Sequence, residues 1–424
     1  MTGMGSIPAW IWPNAGMLTA VGVYLWWRLV VGTTRPHSSA RRIGTVVAVI
    51  VVLLAPLTLI GQYALPMTAQ RVIAWPGWLA YGLIVFLATA TLLTEPVRIF
   101  WWFRRRRARL PAMRAADKPF AQEVPVADKP FAQNDPVAAP QSPDRRLFLQ
   151  RALAAGIGGV SLLATGFAAR SAVGGTNVRR VAIAIPGLPP EAVGMRIALV
   201  SDLHLGSVMG RDFCRSVVDL VNAQQPDAVL LVGDLTDGTV VELGEDLRPL
   251  SELRSVEGTF FVTGNHEFYF DPDGWLAFIP QLGITVLENE GVPLRGLLLA
   301  GVQDIAGRPS GRGPDMDAAL STRLPSQPVI MMSHQPNLVY DAIDRDVQLM
   351  VSGHTHGGQF YPAAFVTAVA NPALTGLHWI DGTQLYITNG AGFWGPIARL
   401  GAPPDITMIE LISPGMSVPD DSSS

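Results

Sequence analysis

The chain has 424 residues, enough for more than one domain, and its mean hydropathy of +0.30 is high for a soluble enzyme. The apolar excess lies in residues 1–102, whereas residues 173–415 have an ordinary globular composition. The net charge of −3 gives no support for nucleic-acid binding. The only cysteine, Cys214, excludes an internal disulfide and a thiolate metal cluster.

Three long apolar segments, 10–31, 43–62 and 77–100, open the chain. Each approaches the ~20 residues that are needed to cross a bilayer. Tryptophans cluster near their ends, as is typical of interfacial anchors: Trp26, Trp27, Trp75, Trp78, Trp101 and Trp102. Buried core helices fit less well, because the segments are long and almost free of charge. We therefore predict three transmembrane helices within residues 1–102.

Arginines are distributed unequally between these predicted spans. The second connection carries only Arg71. The first connection and the stretch after the third span are richer: Arg28, Arg35, Arg41 and Arg42, then Arg104, Arg105, Arg106, Arg107 and Arg109. The positive-inside rule places the N-terminus outside and residues after 103 in the cytoplasm. An arginine run is also typical of nucleic-acid binding, but beside a membrane span it more often marks topology.

Residues 103–144 are predicted to form a cytoplasmic linker, basic at first and then rich in Pro and Ala. No apolar period persists after residue 110, which favours a disordered or extended chain. The segment ADKPFAQ occurs at 116–122 and 127–133, and two copies are too few for a repeat fold. Residues 416–424 are predicted to be a disordered tail.

The segment 145–172 has two interpretations. Its DRRLFLQR start followed by weakly apolar residues 152–169 is similar to a twin-arginine export signal, although Asp144 and Gln150 depart from the usual pattern. The alternative is a fourth transmembrane helix with basic residues on its cytoplasmic flank. Both send the remainder of the chain out of the cytoplasm, and we favour an uncleaved anchor.

Short apolar runs, each followed by a polar block, begin after residue 178. They are 196–200 before SDLH, 227–232 before GDLTD, 259–262 before GNHE, 328–332 before SH and 347–351 before GHTH. Such runs favour strands buried on both faces, separated by helices such as 211–223. The polar blocks then lie at the strands' carboxyl ends, where open α/β sheets place their sites.

Five of the chain's seven histidines fall within these blocks. If the blocks are extended, alternation puts Asp202 and His204 on one side, and likewise His354 and His356. Imidazole, carboxylate and amide groups together are typical of a mixed N/O site for divalent metals. Small residues that allow close backbone approach precede the candidate ligands: Ser201, Gly233, Gly264, Ser333 and Gly353.

The order DxH, GDxxD, GNHE, a lone His and GHTH resembles the calcineurin-like metallophosphoesterase superfamily over residues 178–412. GHTHGGQF and GPIARLGAPPDIT resemble a membrane-associated bacterial branch of it, with Asp405 in place of a Glu. The resemblance implies an α/β fold over residues 173–415. That fold is a four-layer α/β/β/α sandwich, here preceded by an α-helical transmembrane region.

The resemblance also implies two divalent metal ions as cofactors, Mn, Fe or Zn. The implied ligands are Asp202, His204 and His356 for one ion, Asn265, His334 and His354 for the other, and Asp234 as the bridge between them. The hard oxygen and imidazole donors agree with those metals, and the absence of thiolates argues against a structural zinc cluster. Such a metal pair serves hydrolysis of a phosphoester substrate.

His266 is not a ligand in this pattern. The resemblance implies that it donates a proton to the leaving oxygen or stabilises the transition state, with Asp237 orienting its ring. Glu267 is read either as a support for the ligands or as an ordinary ion-pairing residue. Asp304, at the end of another strand-like run, is a weaker candidate for contact with the site.

Three functions follow from these patterns. The leading hypothesis is a multi-pass protein of the bacterial cytoplasmic membrane whose extracytoplasmic domain hydrolyses an envelope phosphodiester or phosphomonoester, lipids included. The first alternative is a pyrophosphatase of a lipid-linked nucleotide sugar such as UDP-2,3-diacylglucosamine, whose substrate is made in the cytoplasm. The second is a non-catalytic membrane sensor, which would be marked by loss of His266 or of several ligands. The sequence predicts a membrane partner and names no protein partner.

Overall fold

The computed structural model describes residues 7–116 and 143–416. Four helices precede the strands, and the first of them continues into a π-helical turn. They are α1 (Ile11–Leu25, then Trp26–Val31), α2 (Ser39–Ala64), α3 (Met67–Ala116) and α4 (Pro143–Val173). Residues 117–142 of the predicted linker, with all of both ADKPFAQ copies except Ala116, lie outside the described residues, as does nearly all of the predicted tail. Residues 103–116 of the predicted linker are helical.

Three of these helices contain stretches long and apolar enough to cross a membrane: Ser39–Ala64, Met67–Phe100 and Leu147–Val173. The first predicted span is helical as well, although its α-helical part is only 15 residues long. The boundaries of α3 differ from the prediction: it begins at Met67 and runs to Ala116, so Arg71 lies within a helix and not in a connection. Hydropathy detects the apolar middle of a helix, whereas polar residues such as Gln70 continue the same helix beyond it.

The strands of the C-terminal domain form two six-stranded sheets within the part of the chain that the structure describes. The first sheet has the order β1-β12-β2-β3-β4-β5 and the second the order β10-β11-β9-β8-β7-β6. Their bounds are β1 Asn177–Ala184, β2 Arg196–Val200, β3 Ala228–Val232, β4 Gly258–Val262, β5 Thr285–Val286, β6 Glu290–Leu294, β7 Leu297–Gly301, β8 Val329–Met332, β9 Leu349–Ser352, β10 Gly376–Ile380, β11 Thr383–Ile387 and β12 Asp405–Ile412. All five strands predicted from the apolar runs are present.

Shorter helices connect these strands. They are α5 Arg211–Ala223, α6 Val240–Leu247, α7 Asn265–Phe270, α8 Pro272–Phe278, α9 Met316–Ala319, α10 Val339–Ile343 and α11 Ala363–Ala370. The predicted helix 211–223 is confirmed. Cys214 lies on its buried face, where burial raises the pKa of the thiol to about 12 and keeps it unreactive.

The two sheets pack face to face because alternate residues of their strands point inward. The shared core contains Ile197, Leu199, Leu230, Val232, Leu299, Met332, Val351 and Leu411. On the far side of the second sheet, Met331 and Met350 pack with Val339 and Ala342 of α10. Helix α5 buries its own apolar face, Val217 among it. The predicted α/β/β/α sandwich is confirmed, and β2, β3 and β4, like β7, β8 and β9, run parallel.

The chain forms two compact units. The first consists of Met1–Leu18, Leu53–Gly82 and Thr165–Ser424, so the end of α2 and the start of α3 belong to the same unit as the sandwich. The second consists of Thr19–Val52 and Leu83–Ala164. Within this second unit, the Arg28 guanidinium pairs with the Glu95 carboxylate at 2.5 Å.

Candidate metal centre

The predicted ligands of β2 reach the site through left-handed turns and not through strand alternation. Asp202 has a φ of 56° and His204 a φ of 47°, so the expectation of an extended DxH segment is wrong. The same correction applies to His354 at 69° and His356 at 52°. The Asp202 N–H donates to the Gly233 carbonyl at 3.1 Å, which anchors this turn to the loop after β3. The fold therefore imposes the conformation on these residues.

Asp202, His204 and His356 form the first ligand group, and all three are buried. The Nε2 atoms of His204 and His356 lie 3.1 Å apart. The Asp202 Oδ1 atom lies 3.4 Å from the His356 Nε2 and 3.8 Å from the His204 Nε2. Two strands that belong to different sheets, β2 and β9, thus deliver their ligands to one point.

Asp234, His334 and His354 form the second group. The Asp234 Oδ2 atom lies 3.1 Å from the His334 Nε2 and 3.7 Å from the His204 Nε2 of the first group. Asn265, buried at the start of α7, completes the set at the end of β4. The two histidines of the GHTH block therefore divide between the groups, and Asp234 is the carboxylate nearest to both.

Asp237 serves two histidines with one oxygen. Its Oδ1 lies 2.8 Å from the Nδ1 of His204 and 2.7 Å from the Nδ1 of His266. The sequence interpretation gave Asp237 only the second contact. Because the His204 Nδ1 hydrogen-bonds to this carboxylate, it carries a proton, and the His204 Nε2 is free to offer a lone pair.

His266 lies beside the second group without belonging to it. Its Nε2 is 4.0 Å from the Asp234 Oδ2, and its backbone N–H donates to the Asp234 Oδ1 at 2.8 Å. The ring is buried and meets the ring of Trp394 edge-on at 5.8 Å between centroids. His266 therefore faces both the ligands and an aromatic wall.

The charges of the site favour a bound cation. Burial opposes ionisation of Asp234, yet the neighbouring imidazoles of His334 and His266 hold its pKa well below the ordinary value. Asp237 is partly buried, and His204 and His266 lower its pKa to about 2. These carboxylates are ionised and need positive charge close by. Asp234 also raises the pKa of His334 against the effect of burial, which shows that the carboxylate attracts positive charge to this point.

Buried polar atoms without a hydrogen-bond partner indicate whether metal ions fit this centre. The Asn265 Oδ1 and the His334 Nε2 are buried and have no hydrogen-bond partner. The His334 Nδ1 donates to the Val232 carbonyl at 2.8 Å, which leaves its Nε2 as the atom with a lone pair. Oxygen and imidazole donors of this kind match Mn, Fe or Zn. The residues present therefore fit divalent metals.

The backbones of the loops pack too closely for side chains at two positions. Gly233 has a φ of 77°, and a Cβ on it would collide with the backbone of Gly264. A Cβ on Gly264 would in turn overlap the Asp234 carboxylate. The small residues noted in the sequence are thus required where the β3 and β4 loops meet.

Glu267 joins those two loops. Its carboxylate accepts hydrogen bonds from the backbone N–H groups of Gly264 at 2.6 Å, Leu235 at 2.8 Å and Asp234 at 3.0 Å. The side chain is buried. Of its two sequence interpretations, support of the ligand loops is the one that these contacts favour. Asp304 supports a third loop, because its Oδ1 accepts from the Gln335 amide at 2.9 Å beside His334.

Replacing Glu267 with Gln is expected to lower the free energy of unfolding by about 1–3 kcal/mol, because the amide nitrogen cannot accept and leaves a buried N–H without a partner. Thermal unfolding of the detergent-solubilised full chain measures this. Glu245, an exposed residue that pairs with Arg248, is the matched control for Glu→Gln. Equal unfolding temperatures for the two variants would contradict the role given to Glu267.

Arg399 is the residue that sequence reasoning missed. It is fully buried, its Nη1 donates to the His356 carbonyl at 2.7 Å, and its Nη2 lies 3.0 Å from the His356 Nδ1. It also bonds the carbonyls of Asn389 and Gly392. The sequence did offer one signal, a single arginine in the otherwise apolar and glycine-rich segment GPIARLGAPP. An arginine in such a segment is expected to be buried, and a buried charge requires dedicated hydrogen-bond partners.

Comparison with known proteins agrees with this geometry. The profile of the calcineurin-like phosphoesterase family matches residues 195–358. An uncharacterized metallophosphoesterase of Aquifex aeolicus is 32% identical over 231 residues, which cover 53% of this chain and 88% of that protein. An uncharacterized metallophosphoesterase of Helicobacter pylori is 39% identical over 51% of this chain and 60% of its own length.

A transmembrane protein with metallophosphoesterase domain from Danio rerio is 36% identical over 54% of this chain. The match covers 56% of that protein, so the chain spans little more than half the length of this relative. The family profile, the identity over most of the Aquifex protein and the convergent ligands lead to one conclusion. The chain belongs to the calcineurin-like metallophosphoesterase family of hydrolases.

Proposed function

We propose that the protein is a membrane-anchored phosphoesterase that uses two divalent metal ions and hydrolyses a phosphomonoester or phosphodiester outside the cytoplasm. The observation that carries this proposal is the position of Asp234. Its Oδ2 lies 3.1 Å from His334 in one ligand group and 3.7 Å from His204 in the other. One carboxylate at such a junction suits two ions that share a ligand.

In this proposal, Asp202, His204 and His356 would hold one ion, and Asn265, His334 and His354 would hold the other. Asp234 would be a ligand to both. When bound, such ions supply Lewis-acid activation of water and charge stabilisation of the phosphoryl oxygens. Arg399 fixes the loop that carries His356, and Glu267 fixes the loops that carry Asp234 and Asn265, so the ligands keep their positions during turnover.

His266 is proposed as the proton donor to the leaving oxygen. The Asp237 Oδ1 lies 2.7 Å from its Nδ1, which leaves Nε2 as the ring atom that faces the site and offers the transferable proton. The carboxylate also stabilises the protonated ring. Its simultaneous contact with His204 couples the orientation of the donor to that of one metal ligand.

Metal dependence tests the activity. The full chain in detergent, loaded with Mn, Fe or Zn, is expected to hydrolyse bis(p-nitrophenyl) phosphate or p-nitrophenyl phosphate. Chelation should abolish the release of p-nitrophenol, and return of the metal should restore it. Absence of hydrolysis with all three metals would overturn the proposal.

The extracytoplasmic orientation is supported by contacts within the first unit. Trp10, just before α1, packs against Trp394, and the guanidinium of Arg71 pairs with Asp246 at 3.0 Å. The start of α1 and the start of α3 therefore lie on the side of the sandwich. Arginines are concentrated toward the other ends of these helices, with Arg28 in the turn that continues α1 and Arg104 in the C-terminal part of α3. By the positive-inside rule those ends face the cytoplasm.

Cysteine labelling in intact cells checks the orientation. Cys214 is buried, and its replacement with Ala removes the native thiol. In that background, Val241→Cys, at a side chain that is 90% exposed, is expected to react with a membrane-impermeant maleimide. Ser39→Cys, on the predicted cytoplasmic side, should react only after permeabilisation. The reverse pattern would contradict the orientation and favour the lipid-linked nucleotide-sugar pyrophosphatase.

A further inference from the structure

The cavity over the metal ligands has two unlike walls. Its volume is about 440 Å³, within the range of small-molecule sites. One wall contains polar residues of the site, namely His204, Asp234, Asn265, His266, His354 and His356. The other wall contains Trp10, Asn14, Leu59, Tyr81, Tyr269 and Trp394. Four of those six belong to α1, α2 and α3 or to the residue just before them, and all lie in the first unit.

Five rings form a closed circuit beside the proposed proton donor, which we call the aromatic collar. Its members, in order around the circuit, are His266, Trp394, Trp10, Tyr63 and Phe270. Successive centroids are 5.8, 5.6, 6.3 and 5.2 Å apart, and Phe270 returns to His266 at 6.0 Å. The collar joins the catalytic histidine to α2 and to the start of α1 without interruption. A leaving group on the His266 side therefore meets aromatic surface.

This wall lies within helices that are apolar enough to span a membrane. Leu59 belongs to the span Ser39–Ala64 and Tyr81 to the span Met67–Phe100. Leu59 precedes the end of α2 by five residues, which is about 8 Å along the helix axis. Leu57 on the same helix is 50% exposed, as a lipid-facing residue should be. The cavity therefore reaches from the end of α2 at least as far as Leu59, within the part of the helix that is apolar enough to lie in a membrane.

The polar features of this wall are few and neutral. None of the described residues that line the cavity is Lys or Arg, although a nucleotide diphosphate would call for such cations. The indole Nε1 of Trp394, which lines the cavity, is buried and has no hydrogen-bond partner. It can donate to an ester or phosphoryl oxygen at the boundary between a polar headgroup and its apolar chain.

We propose that the substrate is the phosphoester of a long-chain membrane lipid and that the lipid alcohol is the leaving group. Water adds its oxygen to phosphorus, the bond between phosphorus and the lipid oxygen breaks, and His266 gives that oxygen its proton. The products are the lipid alcohol, which stays in the bilayer, and a water-soluble phosphate. This inference rests on the proposed phosphoesterase function.

The test uses the metal-loaded full chain in mixed detergent micelles. The probes are dioleoyl phosphatidic acid, dioleoyl phosphatidylglycerol and a polyprenyl phosphate, with dihexanoyl phosphatidic acid and dihexanoyl phosphatidylglycerol as short-chain counterparts. Release of lipid alcohol is followed by mass spectrometry. For at least one long-chain probe, kcat/KM should exceed the short-chain value at least tenfold. Equal values, or no cleavage of any long-chain lipid while bis(p-nitrophenyl) phosphate is cleaved, would overturn the lipid inference alone.

Two matched variants test whether the apolar wall of the cavity causes the preference for long-chain lipids. Leu59→Trp fills the apolar wall and should lower the ratio of kcat/KM for the lipid to that for bis(p-nitrophenyl) phosphate at least tenfold. Leu57→Trp, two residues away and facing outward, should leave that ratio unchanged. An unaltered ratio in a folded Leu59→Trp protein would also overturn the inference. If the wild-type protein cleaved none of these substrates, the proposed phosphoesterase function itself would be wrong.

Discussion

Replacing Asp234 with Asn is expected to abolish hydrolysis and to remove bound metal at the same time. Asp234 is the carboxylate nearest to both ligand groups, and an amide offers a single neutral oxygen in its place. Loss of the several kcal/mol that a metal site supplies corresponds to about 10³-fold or more in kcat. Elemental analysis of the purified protein and its kcat measure the two effects.

The matched control is Asp317→Asn, since Asp317 is exposed and its carboxylate pairs with Arg345. That variant should retain wild-type metal content and kcat. If Asp234→Asn retained two metal ions with near wild-type turnover, the bridging role would be wrong.

Replacing His266 with Gln is expected to lower kcat by about 10²–10⁴-fold while the metals stay bound. The loss should be greatest for alkyl phosphoesters and smallest for p-nitrophenyl esters, because p-nitrophenolate leaves without protonation. Comparing kcat for both leaving groups, with metal content measured in parallel, separates proton donation from loss of the site.

His378→Gln is the control, because this partly exposed ring lies outside the site and hydrogen-bonds to the neighbouring Thr375 carbonyl. An equal loss for both leaving groups in His266→Gln would assign His266 to transition-state stabilisation and not to proton donation. Unchanged turnover would remove His266 from the mechanism.

The strands and their polar ends could be predicted because buried parallel strands leave a continuous apolar run in the sequence. The run 196–200 corresponds to β2 residue for residue, and every candidate ligand lies at the end of its strand. The reason given for the convergence of Asp202 and His204 was wrong, since both residues are left-handed. Asp and His adopt a positive φ more readily than most residues, but tertiary contacts decide at which positions they do so.

The other wall of the cavity could not be predicted, because hydropathy identifies a membrane helix without showing which face meets the protein. Trp10 and Tyr81 read as ordinary residues of apolar segments, yet both line the cavity. The contact of Asp237 with His204, in addition to His266, could not be predicted from the sequence for a related reason. A carboxylate can be assigned one partner from a motif, whereas a shared oxygen appears only when two loops are brought together.

The left-handed backbone of the ligands has a consequence for the life of the protein in the cell. Five ligand residues adopt it: Asp202, His204, Asp234, His354 and His356. At about 1–2 kcal/mol each, the total cost of about 5–10 kcal/mol is comparable to the whole stability of a typical domain. Copies without the proposed metals would lack the binding energy that offsets this cost, and we expect them to unfold and to be degraded first. Metal supply would then govern how much of the protein accumulates, and not only how active it is.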